Sequence, residues 1–450
     1  MRCLTALTGV VALLLICGAA AAQQNQPDMS KFVSREEYDK LLKSMQEMRA
    51  EMDALKKERA APAPAAPAQP PGQAMATQAD VDQAMDDVDK RLRAIQKQTE
   101  LLAPGKTNIF IAGDAFFGFN ALRHSPSSFE AGVSPLVLWK LSDRLLIEAA
   151  ADIGVATDDT GASSTSFDLT IGNASYMFDP ALIVGAGLFV VPFGVFHNHY
   201  DPPWINKLPD SPLPFGDSGI APGSEVGAFL VGAHPIGPTK INYAFYVTNG
   251  PQVNTTDPAA AGSLNFNDYT DLNSNKAVGG RLGFLPLPEM EFGYSIMSAE
   301  VQPQDFRRVE ALLQAVDFSY KKPVDFFSGT IDFRTEWVWS HVQNVTYDAN
   351  HKLGFGPLSY GNNRDGGYVQ VAYRPTMFSN KIIRNLEPVV RWDRLDVPTR
   401  APGGGFEERW TVGLDYWVMP NAVFKVAYQF DSKQIGQSDD ALMIQFGVGL

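Results

Sequence analysis

From Lys106 to Leu450, apolar residues alternate with small or polar ones in one short segment after another. Phe424, Val426, Tyr428 and Phe430 alternate with Lys425, Ala427, Gln429 and Asp431. Trp410, Val412, Leu414 and Tyr416 alternate in the same way with Arg409, Thr411, Gly413 and Asp415. Val278, Gly280, Leu282 and Phe284 do so with Gly279, Arg281 and Gly283, and Leu442, Ile444, Phe446, Val448 and Leu450 with the residues between them. Period two places one set on each face of a β-strand. Sixteen such segments are read along the chain: 108–121, 127–140, 143–156, 165–178, 181–191, 223–234, 238–249, 275–285, 289–300, 308–320, 326–341, 366–375, 385–396, 407–418, 421–431 and 440–450. The alternation breaks in 127–140 and 308–320.

Alternation alone does not say which face meets water. A soluble sandwich turns its apolar face inward, and a transmembrane barrel turns it toward lipid around a wet lumen. Three features favour the barrel. Aromatic residues gather toward strand ends (Trp337 and Trp339, Tyr416 and Trp417, Tyr428 and Phe430), as interfacial girdles would. The number of strands is even. Connections alternate between short, at Phe178-Asp179-Pro180, around Pro235 to Pro238, and at Pro286 to Pro288, Lys322-Pro323 and Pro420-Asn421, and long, at 192–222, 250–274 and 342–365. Short turns at one end and long loops at the other are the periplasmic and extracellular asymmetry of an outer-membrane barrel.

The N-terminal part has another period. Leu4 to Ile16 is an apolar run behind Arg2, followed by Ala20-Ala21-Ala22, which reads as a secretory signal peptide over 1–22. Tyr38, Leu41, Met45, Met48, Met52 and Leu55 then repeat at spacings of three and four, a coiled-coil seam in a periplasmic segment 23–60. A Pro/Ala-rich linker occupies 61–76, and a second helical segment, 77–104, carries Val81, Met85, Val88, Leu92, Ile95 and Leu102. The barrel takes 105–450. The expected fold is therefore all-β: a transmembrane antiparallel β-barrel of about sixteen strands preceded by a short helical coiled-coil segment.

Composition narrows the chemistry. The only cysteines, Cys3 and Cys17, fall in the signal peptide, so disulfides, thiolate metal sites and cysteine nucleophiles are not expected in the processed chain. A formal net charge of -13 argues against a nucleic-acid partner. No Gly-x-Ser-x-Gly elbow or His-Glu-x-x-His motif is present, so no enzyme, cofactor or metal is expected. His197-x-His199 with Asp201 would put two imidazoles on one side of an extended segment, a weak basis for a metal site.

Several motifs resemble the bacterial outer-membrane porins of the phosphate-selective porin O/P type. They are Gly185-Ala186-Gly187-Leu188-Phe189 followed by Pro192-Phe193-Gly194, then Tyr246-Val247-Thr248-Asn249-Gly250, Arg391-Trp392-Asp393-Arg394, and Glu408 to Trp417 with Pro420-Asn421. The resemblance spans most of 107–450. It implies a homotrimer of sixteen-stranded barrels that passes solutes by diffusion, with the loop 192–222 folded into the lumen.

On that reading the loop contributes Asp201, Lys207, Asp210 and Asp217 to a constriction, facing a pore wall of Arg281, Arg334, Arg391, Arg409 and Lys425. An acidic loop against a basic wall would set a transverse field. Asp332, Glu336, Asp393 and Asp415 share those wall faces, so mixed signs imply salt bridges and weak selectivity. From Lys106 onward there are 24 Lys and Arg against 36 Asp and Glu, which argues against phosphate specificity and toward a mild cation preference. Expected partners are a homotrimer, outer-membrane lipid and lipopolysaccharide, small hydrophilic solutes or ions, and peptidoglycan-layer components. Two other functions remain open: a structural anchor with a periplasmic coiled-coil tether, and an outer-membrane hydrolase using His124, His234, His341 or His351.

Overall fold

The computed structural model describes residues 108–157, 163–216, 218–255, 257–266, 271, 274–303, 307–347 and 356–450. The signal peptide, helical segments and linker expected in 1–104 lie outside the described residues. Among the described residues, sixteen antiparallel strands close into a barrel. They are β1 (Ile109–Leu122), β2 (Ser128–Lys140), β3 (Leu145–Thr157), β4 (Ser163–Asp179), β5 (Leu182–Val190), β6 (Ser224–Ile236), β7 (Thr239–Thr248) and β8 (Ala277–Leu287). β9 (Met290–Glu300), β10 (Glu310–Val324), β11 (Gly329–Val342), β12 (Asn362–Arg374), β13 (Leu386–Val397), β14 (Gly405–Met419), β15 (Ala422–Lys433) and β16 (Ala441–Gly449) complete it. Each strand pairs with its sequence neighbours, and β16 returns to β1 with Ala441–Gly449 against Asp114–Leu122. All sixteen expected segments are strands, with ends displaced by no more than four residues.

The two segments with broken alternation have separate causes. In β2, Ser134 and Pro135 lie in a gap of the β2–β3 register, between Val133↔Ile153 and Leu136↔Ala150. Proline has no N–H to give a ladder, so an irregularity there costs little. In β10 both faces are apolar. Leu312 and Val316 face out, while Ala311, Leu313 and Ala315 are buried against Phe196, Val253 and other loop residues. Alternation vanishes where the inner face meets packed loops and not water.

The two faces of the wall are chemically opposite. Trp410, Val412 and Leu414 of β14 and Phe424, Val426, Tyr428 and Phe430 of β15 are exposed on the outside. Thr411, Asp415, Lys425 and Gln429, between them, are buried on the inside. An exposed apolar wall around a charged interior suits hydrocarbon and not water. Closure leaves no strand edge, which lets backbone polar groups cross a bilayer fully paired. No helix of the described residues is long and apolar enough to cross a membrane.

Aromatic rows follow the outer face. Toward the long-loop end, Trp337 stacks on Trp392 with centroids 6.1 Å apart, Trp392 pairs in register with Trp410, and Trp410 with Phe430. Toward the short-turn end, Phe292, Phe318 and Phe333 run across β9, β10 and β11 with centroid spacings of 4.7 and 5.7 Å. Trp417 departs from the girdle expected for it. It follows outward Tyr416 by one residue, so it points inward, 7% exposed, and its Nε1–H donates to Glu387.

Val412 lies midway along β14 on the outer face, between Val390 and Tyr428. Val412→Arg is expected to destabilise the barrel in bilayers by about 2–4 kcal/mol, the cost of a cation near the midplane of a lipid-facing wall. Denaturant titration of barrels folded into vesicles would measure it, and an unchanged midpoint would show that this face does not meet lipid.

Candidate functional site: the loop inside the barrel

The segment between β5 and β6, residues 191–223, runs across the inner faces of β9 to β16. The turn that starts it is set by Gly194, at φ +64°, a conformation that favours glycine. A Cβ there would collide with the Glu336 carboxylate. The Gly194 N–H donates to Ser295 Oγ at 2.9 Å, and the Val195 and Phe196 N–H groups donate to Glu336 Oε2 at 3.1 and 2.9 Å. One wall carboxylate thus receives two backbone donors of the loop. Phe196, Phe215 and Tyr368 pack as an aromatic cluster with centroids 4.9 to 5.9 Å apart.

Further along, charge fixes the loop. The Arg334 guanidinium lies 4.0 Å over the Tyr200 ring and is held by Asp332 of its own strand. Lys207 donates to Glu387 at 2.8 Å and lies 4.0 Å from Asp332, above the Trp417 ring. Lys425 donates to the carbonyls of Pro203 (2.5 Å) and Leu208 (3.4 Å) and to Gln445 (2.9 Å), which uses all three ammonium hydrogens. Asp210 is the hub. It accepts from Arg391 and Gln429 at 2.8 and 2.7 Å and lies 3.9 Å from Arg409. The Leu213 N–H then donates to Asp393, whose other oxygen accepts from Arg391.

The sequence-expected residues therefore separate. Lys207, Asp210, Arg334, Arg391, Arg409 and Lys425 meet in one loop–wall network. Arg281 stands apart from it, bound to Asp317 at 2.7 Å and Glu291 at 3.0 Å. Asp201 lies 3.5 Å from His197, and Asp217 is outside the described residues. The expected transverse arrangement of acidic loop and basic wall takes a different form: loop and wall charges are in contact and largely neutralise each other. His197 and His199 sit in a π-helical turn, Phe196–Tyr200, and not in an extended segment, so spacing of two does not align them. No group of three His, Cys, Asp or Glu able to hold a metal ion occurs among the described residues. His124 pairs with Asp439, which also accepts from Ser125 Oγ at 3.3 Å, and His341 pairs with Asn363.

The opposite wall was not singled out from the sequence. By register, inward positions of β1 to β4 carry Asp114, Glu130, Glu148, Asp152 and Asp168, with Asp152 directly across from Asp168. The only Lys or Arg sharing these faces is Lys140 at the short-turn end, paired with Asp143 of the turn. The signal was available: Asp114, Glu148 and Asp152 all occupy the polar phase of their alternating segments. At the long-loop end, two short strand pairs, Gln252–Val253 with Leu264–Asn265 and Thr346–Tyr347 with Leu358–Ser359, are joined by Tyr360 Oη donating to the Ala261 carbonyl and Asn362 Nδ2 donating to that of Gly262.

Asp210→Ala would leave Arg391 and Arg409 short of their shared partner. Breaking a buried pair from one side costs about 3 kcal/mol, so the variant should unfold at lower temperature and be cut faster by protease within 201–216. Asp210→Asn, which keeps an acceptor, should lose less; equal stability of all three forms would show that the hub does not hold the loop.

Comparison with known proteins gives relatives by structure alone. No family model matches the chain, and no curated protein does either. Salmonella typhi OmpF, in a complex with daunomycin, is 11% identical over 76% of this chain and 97% of its own, with a TM-score of 0.50. The outer-membrane channel DcaP of Acinetobacter baumannii is 11% identical over 76% and 97%, with a TM-score of 0.49. The anion-selective porin from Comamonas acidovorans is 8% identical over 76% and 99%, with a TM-score of 0.48. At these identities the likeness to OmpF speaks for architecture alone, and with the closed strand order it establishes that the chain has the sixteen-stranded barrel fold of outer-membrane porins.

Proposed function

We propose that the protein is an outer-membrane porin through which small hydrophilic solutes and ions diffuse passively. The observation that carries this reading is the charge-clamped loop inside a barrel whose outer wall is apolar. A stiff, anchored loop would narrow the lumen without sealing it by hydrophobic collapse. On the inner faces of β1 to β4 acids outnumber cations, with Asp114, Glu130, Glu148, Asp152 and Asp168 against Lys140. A mild preference for cations follows, and phosphate selectivity does not, because Arg281, Arg334, Arg391 and Arg409 are engaged with carboxylates. The motifs that resemble the phosphate-selective porin O/P type would then reflect common architecture: Gly185 to Gly194 is the end of β5 entering the loop. Residues 31–103 would associate as a coiled coil in the periplasm, helping three barrels to form a homotrimer or reaching the cell-wall layer. Outer-membrane lipid and lipopolysaccharide would surround the barrel.

Planar-bilayer recording tests the channel. Stable ohmic steps are expected, and reversal potentials under a salt gradient should give a cation preference of a few-fold. Neutralising Asp114, Glu148 and Asp152 together (to Asn, Gln and Asn) should bring that preference close to unity; a silent membrane, or anion selectivity in the unaltered protein, would sink the reading. Removing residues 31–103 should abolish oligomers on native gels while leaving single-channel steps in place.

A further inference from the structure

Two neighbouring turns at the short-turn end differ from the other five there. The β10–β11 turn presents Phe326, 86% exposed, and Phe327, 51% exposed. The β12–β13 connection, residues 375–385, presents Met377, Phe378, Ile382 and Ile383, the last two on a short helix, Lys381–Asn385. Together these two connections expose six large apolar side chains, and no other connection at this end exposes more than two.

The patch is built and not loose. Ser328 is held at φ +52°, the only non-glycine residue with positive φ among the described residues. Its N–H donates to the Asp325 carbonyl at 2.9 Å, and its own carbonyl accepts from Met377 at 3.2 Å, which ties the two turns together. Asn380 caps the short helix by accepting from Ile382 at 2.9 Å, and Arg374 donates to the Arg384 carbonyl at 3.2 Å. Lys381 and Arg384 are exposed beside the apolar side chains and form no ion pair among the described residues.

Two observations choose the occupant. First, the patch continues the lipid-facing wall. Tyr373, on the outer face of β12, donates its hydroxyl to the Phe327 carbonyl at 2.5 Å, and the Phe292–Phe318–Phe333 row lies on the same outer face. Second, the charge at its edge is basic on balance, with Lys381 and Arg384 flanking Ile382 and Ile383 against the one acid, Asp325, at the start of the other turn. Apolar side chains at the acyl boundary with cations at headgroup level are the design of an interfacial anchor for anionic lipid. We infer that the turns 325–328 and 375–385 form a binding site for an anionic phospholipid of the periplasmic leaflet, with Lys381 and Arg384 on its phosphate and Phe326, Phe327 and Ile382 among its acyl chains. This inference rests on the membrane-spanning reading of the barrel.

The full chain would be folded into vesicles of phosphatidylcholine with or without phosphatidylglycerol, and retained lipid counted by native mass spectrometry. The unaltered protein should retain phosphatidylglycerol over phosphatidylcholine. Lys381→Ala and Arg384→Ala should each weaken that retention by about fivefold, the worth of one cation at an anionic surface. Phe326→Ser with Phe327→Ser should lose it while single-channel steps persist, which shows that the variant is folded. Equal retention by unaltered and variant proteins would overturn the inference, as would association of barrels through this patch that the Phe326→Ser/Phe327→Ser variant abolishes. Failure to insert into either vesicle would instead remove the membrane reading itself.

Discussion

Closure of the sheet is the constraint on which the rest depends. A bilayer offers no water to an open strand edge, so β1 must find β16, and Asp114–Leu122 pairs with Ala441–Gly449 across the whole chain length. Once the ring is closed, each strand has one face toward lipid and one toward the lumen. Alternation is then a necessity and not a preference, because a slip of one residue would turn Lys425 and Asp415 outward and Phe424 and Leu414 inward. Closure with an even number of strands also brings β1 and β16 to the same rim as the short turns.

A loop inside such a ring cannot rely on the force that packs a soluble core. Apolar contact between loop and wall is concentrated where Phe196, Phe215 and Tyr368 meet and where Leu208 packs with Val389, Ala427 and Met443. Elsewhere hydrogen bonds and ion pairs replace it. These interactions are individually modest, and they hold because several converge on one short segment: Lys207, Asp210 and Leu213 are fixed within seven residues. The wall charges on β11 to β15 serve as anchors. A charge committed to an anchor is not available to a passing ion.

This division explains what the sequence could and could not disclose. The strands were legible because period two is a local signal imposed by the wall. Even Trp417, misplaced with the girdles, has its inward direction fixed by its position beside Tyr416. The loop charges and wall arginines were legible as types, since only polar-phase residues reach the lumen. Their pairing was not, because Asp210 and Arg391 are separated by 181 residues and only the folding of the loop across the inner wall brings them together. The acids of β1 and β3 were readable one by one but not as a set, since what distinguishes them is that register gathers them on one side of the barrel, a property of three dimensions. The helical geometry of Phe196–Tyr200 was hidden for a related reason: the docking of its first amides on Glu336 shapes the turn, and the local sequence does not.

Magnitudes decide how much selectivity such a lumen should carry. An ion pair at contact is a dipole, and its field fades faster with distance than that of a lone charge, so the clamped wall contributes little beyond its own surface. A single uncompensated carboxylate about 10 Å from a passing ion is worth ~0.4 kcal/mol in bulk water. Three acting together would reach about 1.2 kcal/mol, and one Debye length of salt at ~0.1 M removes more than half of that. What remains is a preference of roughly two-fold, raised somewhat where the low-dielectric wall confines the water. A passage of the proposed kind would therefore discriminate weakly. A strongly selective one would need Arg391, Arg409 and Lys425 to turn from the loop toward the lumen, and then the loop would lose the contacts that fix Pro203, Leu208 and Asp210.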